Sequence, residues 1–534
     1  MAMSREILDR VDRVLEYHQA SKRADGSLPL LRGLDWTQPP AASAFAGLPR
    51  TALPTALLDA PSPTLSLLRD GLQALPPTQA HAPQDLKTLA SWLYMADGFT
   101  ERSGGAGAAA RWLRSVVSCG ETYPCEIYVA AFAINQLDPG LYYFDPKDFS
   151  LARLRGGPET LAVIKRGRPD LEMLKSVPAA LLVSTIFCRS SWRFGRRGYR
   201  TAVLDAGQLV QNLATTATGL GIQTLVRLRM NDANARELIG VSADTDYANA
   251  EAVHAMLIWA DTAKDPMVQM AAGTATAPME PIEREALADD VRPFAQIVAV
   301  HDDCVAPGVT MRDVKPPLTE MSVLAEGTGE ALRGAASGTS TGGEALRKVL
   351  LSSPLARDFA PRGISLDQLW TISRLAFRGG SSFPLFPDGP HVALIRPFWF
   401  AHDVDGMEAG IWYYRPQSDG WTRYKPGVYR MEAQHLAMEE TAYGRAAAVC
   451  VLCANVHRLV AEGGPDLYRL ALLEAGQIAQ RIHLSACAMG LATTVTGDFY
   501  EESARALLGV EKTGWEPLHI VAVGVGAATR TATW

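Results

Sequence analysis

GYRTAVLDAGQLVQ (Gly198–Gln211) recurs 269 positions later as LYRLALLEAGQIAQ (Leu467–Gln480). Three further pairs of segments repeat at the same or a slightly different offset: Gly221 and Gly490, Arg236–Val241 and Arg505–Val510, and Gly140–Pro146 and Gly410–Pro416. A single repeat of such length is too long for a solenoid unit, so it predicts two homologous domains in one chain. A fusion of this kind reproduces a homodimer within one polypeptide and lets its halves diverge.

The bulk composition is that of a globular protein. The chain has 534 residues, of which 48% are hydrophobic and 20% charged, enough for two domains with cores of their own. A net charge of −6 gives no electrostatic reason to expect nucleic acid or an anionic membrane as a partner. The N-terminus lacks the apolar region of a signal peptide, and the seven cysteines are scattered. We therefore expect a cytoplasmic protein without disulfides.

The chain divides by composition into four parts. Residues 1–85 are expected to form an N-terminal helix and a proline-rich extended arm, and residues 86–262 the first domain. Residues 263–345 are rich in Gly, Ser, Thr, Ala and Pro, which is typical of a linker, and residues 346–534 form the second domain. Apolar periodicity predicts a mixed α+β fold in each domain, with helices packed on a sheet.

The periodicity also locates individual elements. Helices are expected at Arg5–Gln19, from Leu86, and at Asp205–Thr218, Leu366–Leu375 and Leu470–Ala488. Strands are expected at Glu126–Phe132, Ala179–Phe187, His254–Trp259, Ala393–Phe400, Ala446–Leu452 and Leu518–Val523.

Several motifs, taken in order, resemble a known family. They are RSVVSCGETYPCE (Arg114–Glu126), GLYYFDP (Gly140–Pro146), CRSSWRFGRRGYR (Cys188–Arg200) with the Asp-Ala-Gly-Gln helix, and, in the arm, Tyr17–Lys22 and Leu34–Pro39. The chain resembles the SagB/ThcOx-type dehydrogenases, which are FMN-dependent azoline oxidases of the nitroreductase superfamily. The resemblance implies a tandem pair of nitroreductase-like domains that form an intramolecular pseudo-dimer, with FMN at the interface.

In that family one unit contributes a Pro-Ser-x-Gly loop and a Trp-Lys-Tyr-Gly-like segment to the flavin. The other unit contributes a phosphate-binding arginine and the turn after the long helix. The resemblance therefore implies a set of cofactor-binding residues in this chain: Ser118, Gly120, Arg357, Gln480, Gly490 and Leu491. It implies Arg193, Phe194 and Tyr199 as the residues near the reacting atoms.

The two copies keep different halves of the flavin motif. Domain two retains Arg357 and Phe359 of the family's Arg-Arg-Ser-x-Arg-x-Phe segment, whereas Leu72–Lys87 of domain one contains no arginine. Domain one retains Ser118 and Gly120, although Val117 replaces the proline. In domain two the loop aligned through Phe386-Pro387 is Ser381-Ser382-Phe383, whose phenylalanine would crowd the flavin edge. We hypothesise one surviving flavin site.

Simpler interpretations of the same residues stay open. Gly221 and Gly490 are also typical helix C-caps, and Ser118–Gly120 is also typical of an ordinary turn. Arg357 is also consistent with a solvated surface charge. Gln211 and Gln480 lie on apolar helix faces, where buried and hydrogen-bonded amides are common.

The chain departs from the family at its catalytic pair. Arg193-Phe194 replaces a Lys-Tyr pair that deprotonates the substrate, and neither arginine nor phenylalanine acts as a general base. Alternative bases are Tyr199, His435, Glu439 and Glu440. Arg193 is also suited to bind a substrate carboxylate or phosphate.

Other cofactor classes find little support. Cys450 and Cys453, with His457 downstream, superficially resemble half a zinc site, but on a strand the two cysteines face opposite sides. The sequence has no Gly-x-Gly-x-x-Gly loop and no Walker motif.

The favoured function is FMN-dependent dehydrogenation of a thiazoline, oxazoline or related C–N bond, on a peptide or carrier-bound substrate, alongside other enzymes of a biosynthetic pathway. Two alternatives stay open. One is an NAD(P)H-dependent nitroreductase, and the other is a flavin-free pseudoenzyme that acts as a scaffold or peptide-binding subunit.

Overall fold

Two 23-residue helices cross at the centre of the chain, and two similar domains are arranged around them. The computed structural model describes residues 4–26, 39–40, 42–70, 81–103, 111–167, 177–228, 232–241, 250–260, 280–285, 287, 294–305, 331–333, 342–352, 355–377 and 393–527. The helices are α1 (Arg5–Ala20), α2 (Thr64–Asp70), α3 (Leu86–Asp97), α4 (Gly157–Gly167), α5 (Phe187–Phe194), α6 (Gly198–Leu220), α7 (Asp232–Leu238), α8 (Ala295–Val305), α9 (Leu346–Ser352), α10 (Leu366–Phe377), α11 (Arg430–Leu436), α12 (Thr441–Arg445), α13 (Val456–Gly463), α14 (Asp466–Ala488) and α15 (Glu501–Leu508). The strands are β1 (Arg50–Ala52), β2 (Phe99–Ser103), β3 (Arg111–Arg114), β4 (Cys125–Ala131), β5 (Gly140–Asp145), β6 (Ser150–Gly156), β7 (Ala179–Ile186), β8 (Thr224–Arg227), β9 (Glu251–Trp259), β10 (Ala331–Arg333), β11 (Ile364–Ser365), β12 (Ile395–Ala401), β13 (Val404–Asp405), β14 (Gly410–Arg415), β15 (Gly420–Pro426), β16 (Ala448–Asn455), β17 (Ala492–Thr496) and β18 (Trp515–Gly524).

Each domain is built on a seven-stranded antiparallel sheet. The strand orders are β1-β6-β5-β4-β7-β9-β8 and β10-β15-β14-β12-β16-β18-β17, which correspond position by position. The registers agree as well, since Ala131 pairs with Ala179 in the first sheet and Ala401 with Ala448 in the second. Two copies of one α+β domain therefore form the chain, which confirms the fold that the repeated motif predicted.

The repeated Ala-Gly-Gln segment lies where α6 and α14 cross. A Cβ built on Gly207 would collide with the carbonyl oxygen of Leu473, and one built on Gly476 would collide with that of Leu204. Because glycine has no Cβ, the two helix backbones touch at this point. The contact is symmetric, so the pseudo-twofold axis that relates the two domains passes through the repeated motif.

Each sheet separates two cores. On β4, the side chains of Ile127 and Val129 belong to a core shared by both domains, whereas Tyr128 lies in an outer core on the opposite face. On β16, Cys450 belongs to the shared core and Cys453 to the outer core of domain two. The two cysteines thus face opposite sides of the sheet, as the strand periodicity predicted. Among the described residues, no helix is long and apolar enough to span a membrane.

The region expected to be a linker carries regular structure. Within residues 263–345, α8 packs beside α1, and β10 pairs with β15 at the edge of its sheet as β1 pairs with β6. The adjoining segments meet at an antiparallel bridge between Pro63 and Ala345. The repeated unit therefore includes an arm as well as a domain. The Gly- and Ser-rich run at 334–343 lies almost entirely outside the described residues.

The predicted elements are present, with shifted boundaries. The helix expected at Asp205–Thr218 extends over Gly198–Leu220, and the one expected at Leu470–Ala488 begins at Asp466. The extra N-terminal turns contain charged residues such as Arg200 and Arg469, which are buried through interactions with other parts of the chain. Apolar periodicity cannot detect such turns, because the residues that bury them are distant in sequence.

Candidate active site

The Ser118–Gly120 loop is fastened to the centre of the molecule by Asp205. The Ser118 hydroxyl donates a hydrogen bond to Asp205 Oδ2 at 2.5 Å, and the Cys119 N–H donates to Oδ1 at 2.9 Å. The N–H of Tyr123 in turn donates to Ser118 Oγ at 3.0 Å. Gly120 has a φ of +61°, a conformation that favours glycine. The acid of the repeated helical motif therefore sets the shape of the predicted flavin loop.

Asp205 is buried, and its environment changes its acidity. Burial raises the pKa of the Asp205 carboxyl to about 7, although the hydrogen bonds from Cys119 and Ser118 oppose the shift. The equivalent residue in domain two, Glu474, accepts a hydrogen bond from the N–H of Leu394 at 2.9 Å. Burial likewise raises the pKa of Glu474 to about 7. In both copies, the acidic residue of the long helix (Asp205 or Glu474) accepts a hydrogen bond from the segment that precedes a central strand, β4 or β12.

The Arg193-Phe194 pair lies directly against the loop. Helix α5 ends at Phe194, and Gly195, with a φ of +62°, terminates it. A Cβ built on Gly120 would lie 2.6 Å from Arg193 Nε and 2.7 Å from Phe194 Cζ. The Arg193 guanidinium carbon is 5.8 Å from the centre of the Phe194 ring. Two groups of residues that the family resemblance associates with the flavin are therefore in contact, although more than 70 positions separate them.

A buried ion pair holds α5 in this position. Arg189 Nη2 donates to Glu126 Oε1 at 2.6 Å, and Arg189 Nη1 donates to the carbonyl of Tyr123 at 3.3 Å. The other oxygen of Glu126 accepts from the Tyr143 hydroxyl at 3.0 Å, and the arm residue Ser43 donates to Glu126 through its N–H and its hydroxyl. The arm, β4, β5 and α5 are thus joined at one carboxylate, and Arg189 links them to the loop through the Tyr123 carbonyl.

Domain two closes the site from the opposite side. A Cβ built on Gly497 would lie 3.4 Å from the sulfur of Cys119, so the chain that follows β17 lies close to the loop. Arg197 donates to the carbonyl of Gly497 and to the Glu501 carboxylate. Arg23 of the arm pairs with Asp498 at 2.6 Å and donates to the carbonyl of Phe194 at 3.2 Å. The site is therefore an interdomain one.

Three polar residues considered as bases belong to the α11–α12 region of domain two. His435 and Glu439 are hydrogen-bonded to each other at 2.7 Å. Glu440 precedes α12, and its side chain does not cap that helix. Although the Glu440 side chain reaches solvent, the surrounding protein raises its pKa, while the nearby positive charge of Arg193 acts to lower it. Of the three, Glu440 is the one whose charge interacts with a residue beside Gly120.

The predicted phosphate residues lie at the start of β17. The N–H of Ala356 donates to the carbonyl of Thr493 at 2.7 Å, which fixes the neighbouring Arg357 beside this strand. Arg357 is exposed and makes no hydrogen bond or ion pair to any other residue in the described part of the chain. Gly490 has a φ of +74°, and a Cβ on it would meet nothing within 4 Å, while the adjacent Leu491 is buried.

Two of the predicted residues lie away from this group. The amide of Gln480 donates to Asn212 Oδ1 at 3.0 Å across the contact between α14 and α6, which agrees with a buried structural amide. Tyr199 is fully buried among Tyr17, Phe187 and His301, with ring centres 5.5 to 5.9 Å apart. Burial raises the Tyr199 pKa well above its ordinary value, which argues against a role as a proton acceptor.

The domain-two loop at Ser381–Phe383 and the adjacent Phe386-Pro387 lie outside the described residues, as does most of Leu72–Lys87. Within the described residues, no group of three or more His, Cys, Asp or Glu side chains is arranged to hold a metal ion.

Comparison with known proteins assigns the chain to a family. The profile of the nitroreductase family matches residues 105–255 and 402–525, which together make up just over half of the chain and fall in both domains. The chain belongs to the nitroreductase family. Members of this family are generally flavin-dependent oxidoreductases. The SagB/ThcOx branch suggested by the motifs is a finer assignment, which the family match does not make.

Individual relatives agree with the family assignment. A protein of Methanocaldococcus jannaschii that bears the name nitroreductase is 27% identical over 164 residues, which cover 30% of this chain and 76% of that protein. A crystal structure from Anabaena variabilis, also named as a nitroreductase, matches 96% of this chain and 99% of its own, with a TM-score of 0.72 and 21% identity. The Anabaena protein thus shares the complete two-domain fold.

A chain of the Escherichia coli microcin synthetase McbBCD complex also aligns, over 48% of this chain and 94% of its own. Its identity is 18% and its TM-score 0.30, values too low to bear on the substrate of this protein.

Sequence reasoning identified the loop and the Arg-Phe pair but not the residues that hold them. Glu126 was part of a quoted motif and Asp205 part of the repeat, so both had a signal that was interpreted only as family resemblance. Arg189 was quoted without a role. Gly497 had no signal, because its significance depends on its proximity to Cys119 in three dimensions.

Proposed function

We propose that the protein is an FMN-dependent oxidoreductase that dehydrogenates a thiazoline or oxazoline ring, or a related amino-acid-derived C–N bond, in peptide natural-product biosynthesis. The contact of Gly120 with Arg193 and Phe194 is the observation that carries this proposal. In the SagB/ThcOx family that the motifs resemble, the equivalent loop and residue pair lie at the flavin and substrate. Here they meet at an interface between two nitroreductase domains, the arrangement that the resemblance implies.

The residues at this interface fit the requirements of FMN. A phosphate needs a cation, which Arg357 provides on the domain-two side, and space, which the exposed turn at Gly490 provides. The flavin ring needs backbone without a side chain, and Gly120 meets this requirement on the domain-one side, although Arg193 Nε and Phe194 Cζ lie 2.6 and 2.7 Å from the position that its Cβ would take. Ser118 is fixed beside it through Asp205. Arg357, Gly490, Ser118 and Gly120 are therefore the residues that would hold the cofactor.

Bound FMN would supply the capacity to accept a hydride from the substrate carbon. The protein must then accept the proton from the substrate. Neither Arg193 nor Phe194 can do so at a working pH. Glu440 is the carboxylate whose charge interacts with Arg193, and its raised pKa makes it a stronger base than an ordinary glutamate. We assign the proton acceptor to Glu440, and the binding of a substrate carboxylate or phosphate to Arg193.

The substrate class follows from this division of roles. A planar guanidinium beside the loop binds carboxylate or phosphate groups in a bidentate manner. A peptide offers such a group at its C-terminus or on an acidic side chain, and a carrier protein that bears an amino-acid derivative offers one on its acidic residues. We propose that the protein takes its substrate from other enzymes of the same pathway, which form the heterocycle before it is oxidised.

The visible absorption spectrum and a turnover assay test the proposal. We expect purified protein to carry, or to take up, FMN and to show the visible absorption bands of oxidised flavin. Under anaerobic conditions, a thiazoline-containing peptide should bleach the long-wavelength band, and oxygen should restore it. Flavin that binds but is not reduced by any azoline substrate would contradict the proposed reaction while leaving the cofactor assignment intact.

One observation favours the flavin-free alternative. The side chains of Arg193 and Phe194 occupy the space beside Gly120, and the Lys-Tyr pair of the related oxidases is absent. A scaffold or peptide-binding subunit would need neither an open ring site nor a base. Purified protein that is colourless and does not bind added FMN would support this alternative.

The family assignment itself favours a third possibility, an NAD(P)H-dependent reductase of nitro or quinone compounds. Rapid bleaching of the bound flavin by NADH or NADPH alone, followed by reoxidation by a nitroaromatic compound, would support it.

A further inference from the structure

We propose that the chain binds one flavin, at the interface that contains Ser118–Gly120, and that the equivalent second interface cannot hold the cofactor. This inference rests on the proposed FMN dependence. Because the domains are copies with the same sheet registers, each residue of the first interface has an identifiable counterpart at the second. The two interfaces can therefore be compared directly. They differ in four features: the ion pair behind the loop, the end of the short helix, the turn after the long helix, and the strand end that faces the loop.

The buried ion pair behind the loop has no equivalent in domain two. Glu126 lies opposite Ser184 in the first sheet, and Arg396 lies opposite Cys453 at the same position in the second. Arg189 is the third residue of α5, and its counterpart, the third residue of α13, is Arg458. An attractive pair of charges is thus replaced by two arginines.

The two arginines of domain two have other partners. Arg396 Nη1 donates to the carbonyls of Ala393 and Ile395 at 2.8 and 3.0 Å. Arg458 pairs with Glu462 at 2.7 Å, within its own helix. Neither links α13 to the strand in the way that Arg189 links α5 to Glu126. The second interface therefore lacks the connection that fixes the helix beside the flavin loop.

The ends of the two helices also differ. The Arg193-Phe194 pair closes α5, whereas the same two positions of α13 are Glu462 and Gly463. A carboxylate replaces the cation, and no ring is present at the second position. An acid at this place repels the anionic group that the arginine is suited to bind.

The turns after the long helices differ in accessibility. Gly490, which serves the first interface, is exposed, and a Cβ on it would meet nothing within 4 Å. Gly221, which serves the second, is buried, and its carbonyl accepts a hydrogen bond from the N–H of Ala82 at 3.0 Å. The turn that would meet a cofactor at the second interface is therefore covered by the chain itself.

The strand end that faces the loop differs as well. Gly497 follows β17, and a Cβ on it would lie 3.1 Å from Thr201 Cγ2 and 3.4 Å from Cys119 Sγ. The sheet registers make Leu228 its counterpart after β8, and the Leu228 side chain is buried. A bulky apolar side chain thus stands at the second interface where the first has none.

The experiment measures how many flavins each chain binds, and where. Purified full-length protein is saturated with FMN, unbound cofactor is removed, and the flavin released by denaturation is quantified by absorbance. We expect one FMN per chain. Two per chain would overturn the inference but keep the proposed function, whereas none would remove the proposed function itself.

Two matched charge removals then locate the site. Arg357→Ala acts at the first interface and Arg458→Ala at the second, and both residues reach the surface. We expect Arg357→Ala to weaken FMN binding by about tenfold or more, because a charge-assisted phosphate contact is lost. Arg458→Ala should leave the affinity within about twofold. The reverse pattern, or unchanged affinity in both variants, would overturn the placement.

Discussion

Gly207 and Gly476 lie against each other at the crossing of α6 and α14, and neither position has room for a methyl group. Their Cα atoms face the backbone of the opposite helix, so a Cβ on either would collide with a carbonyl oxygen. The two residues occupy the same place in the repeated motif, and the contact is therefore symmetric. The duplication is visible here as a direct contact between its two copies.

This contact makes Gly207→Ala a sensitive test of the domain arrangement. We expect a loss of unfolding free energy of about 3 kcal/mol or more, because α6 and α14 must move apart and the shared core must open. Urea unfolding measures the effect. As a control, Gly156→Ala places its methyl group 3.5 Å from Glu159, an ordinary contact, and should cost about 1 kcal/mol or less. Equal losses in the two variants would contradict the close crossing.

The ion pair between Arg189 and Glu126 should contribute more to the free energy of unfolding than Arg396 does at the equivalent position of domain two. Glu126→Gln keeps the shape of the side chain but leaves the buried Arg189 charge uncompensated, so we expect a loss of about 3 kcal/mol. Arg396→Gln removes a half-buried arginine that bonds only to nearby carbonyls, and should cost about 1 kcal/mol. Chemical denaturation compares the two. A larger effect of Arg396→Gln would show that the network is misassigned.

Asp205 predicts a particular dependence of stability on pH. Its pKa is raised to about 7 in the folded state by burial, so between about pH 4 and pH 7 the folded protein keeps a proton that the unfolded chain has lost. Wild-type stability should therefore fall as pH rises through this range. Asp205→Asn removes the ionisable group at this position. As pH rises through this range, the free energy of unfolding of the variant should therefore increase, relative to that of wild type, by roughly 1.4 kcal/mol per pH unit.

Thermal or urea unfolding at several pH values between 5 and 8 measures this difference. Glu474→Gln is the matched control at the equivalent position, and it should show the same trend because the pKa of Glu474 is raised in the same way. The two variants should differ in FMN affinity, since only Asp205 holds the Ser118–Cys119 segment. Parallel pH profiles of wild type and Asp205→Asn would refute the raised pKa.

Alanine substitutions at two glycines with positive φ distinguish the cost of backbone strain from the cost of a steric contact. Gly120→Ala and Gly490→Ala each impose an unfavourable left-handed conformation, worth about 1 kcal/mol. Only at Gly120 does the new methyl group also meet Arg193 and Phe194. We expect a loss of thermal stability about twice as large for Gly120→Ala as for Gly490→Ala. Differential scanning calorimetry measures both, and equal shifts would mean that Arg193 and Phe194 move away without cost.

The sequence predicted the elements that have local signals. The central strands and the two long helices were identified because apolar periodicity extends over several turns or residues, and the duplication because fourteen aligned positions recur. The second arm was missed because α8 lies in a region whose composition is typical of a linker, and a helix of eleven residues has a weak periodic signal. Pairing of β10 with β15 depends on the folded sheet and has no local signature.

The sequence anticipated part of the geometry of the candidate site, and the function of its residues stays a prediction. Ser118, Gly120, Arg193 and Phe194 were named from motif resemblance, and their contact agrees with that resemblance. Tyr199 was named because it follows the same motif, but its side chain is directed into an aromatic cluster. The partnership of Ser118 with Asp205 spans 87 positions, and a contact of that range leaves no trace in local sequence.

The difference between Glu126 and Arg396 has a genetic consequence. In a true homodimer both interfaces are encoded by the same codon, so a substitution that helps one interface alters the other as well. Once the two units are joined, one position can keep an acidic residue while its counterpart changes to a basic residue, and each substitution affects a single place in the molecule. The covalent connection therefore allows each of the two interfaces to change without altering the other.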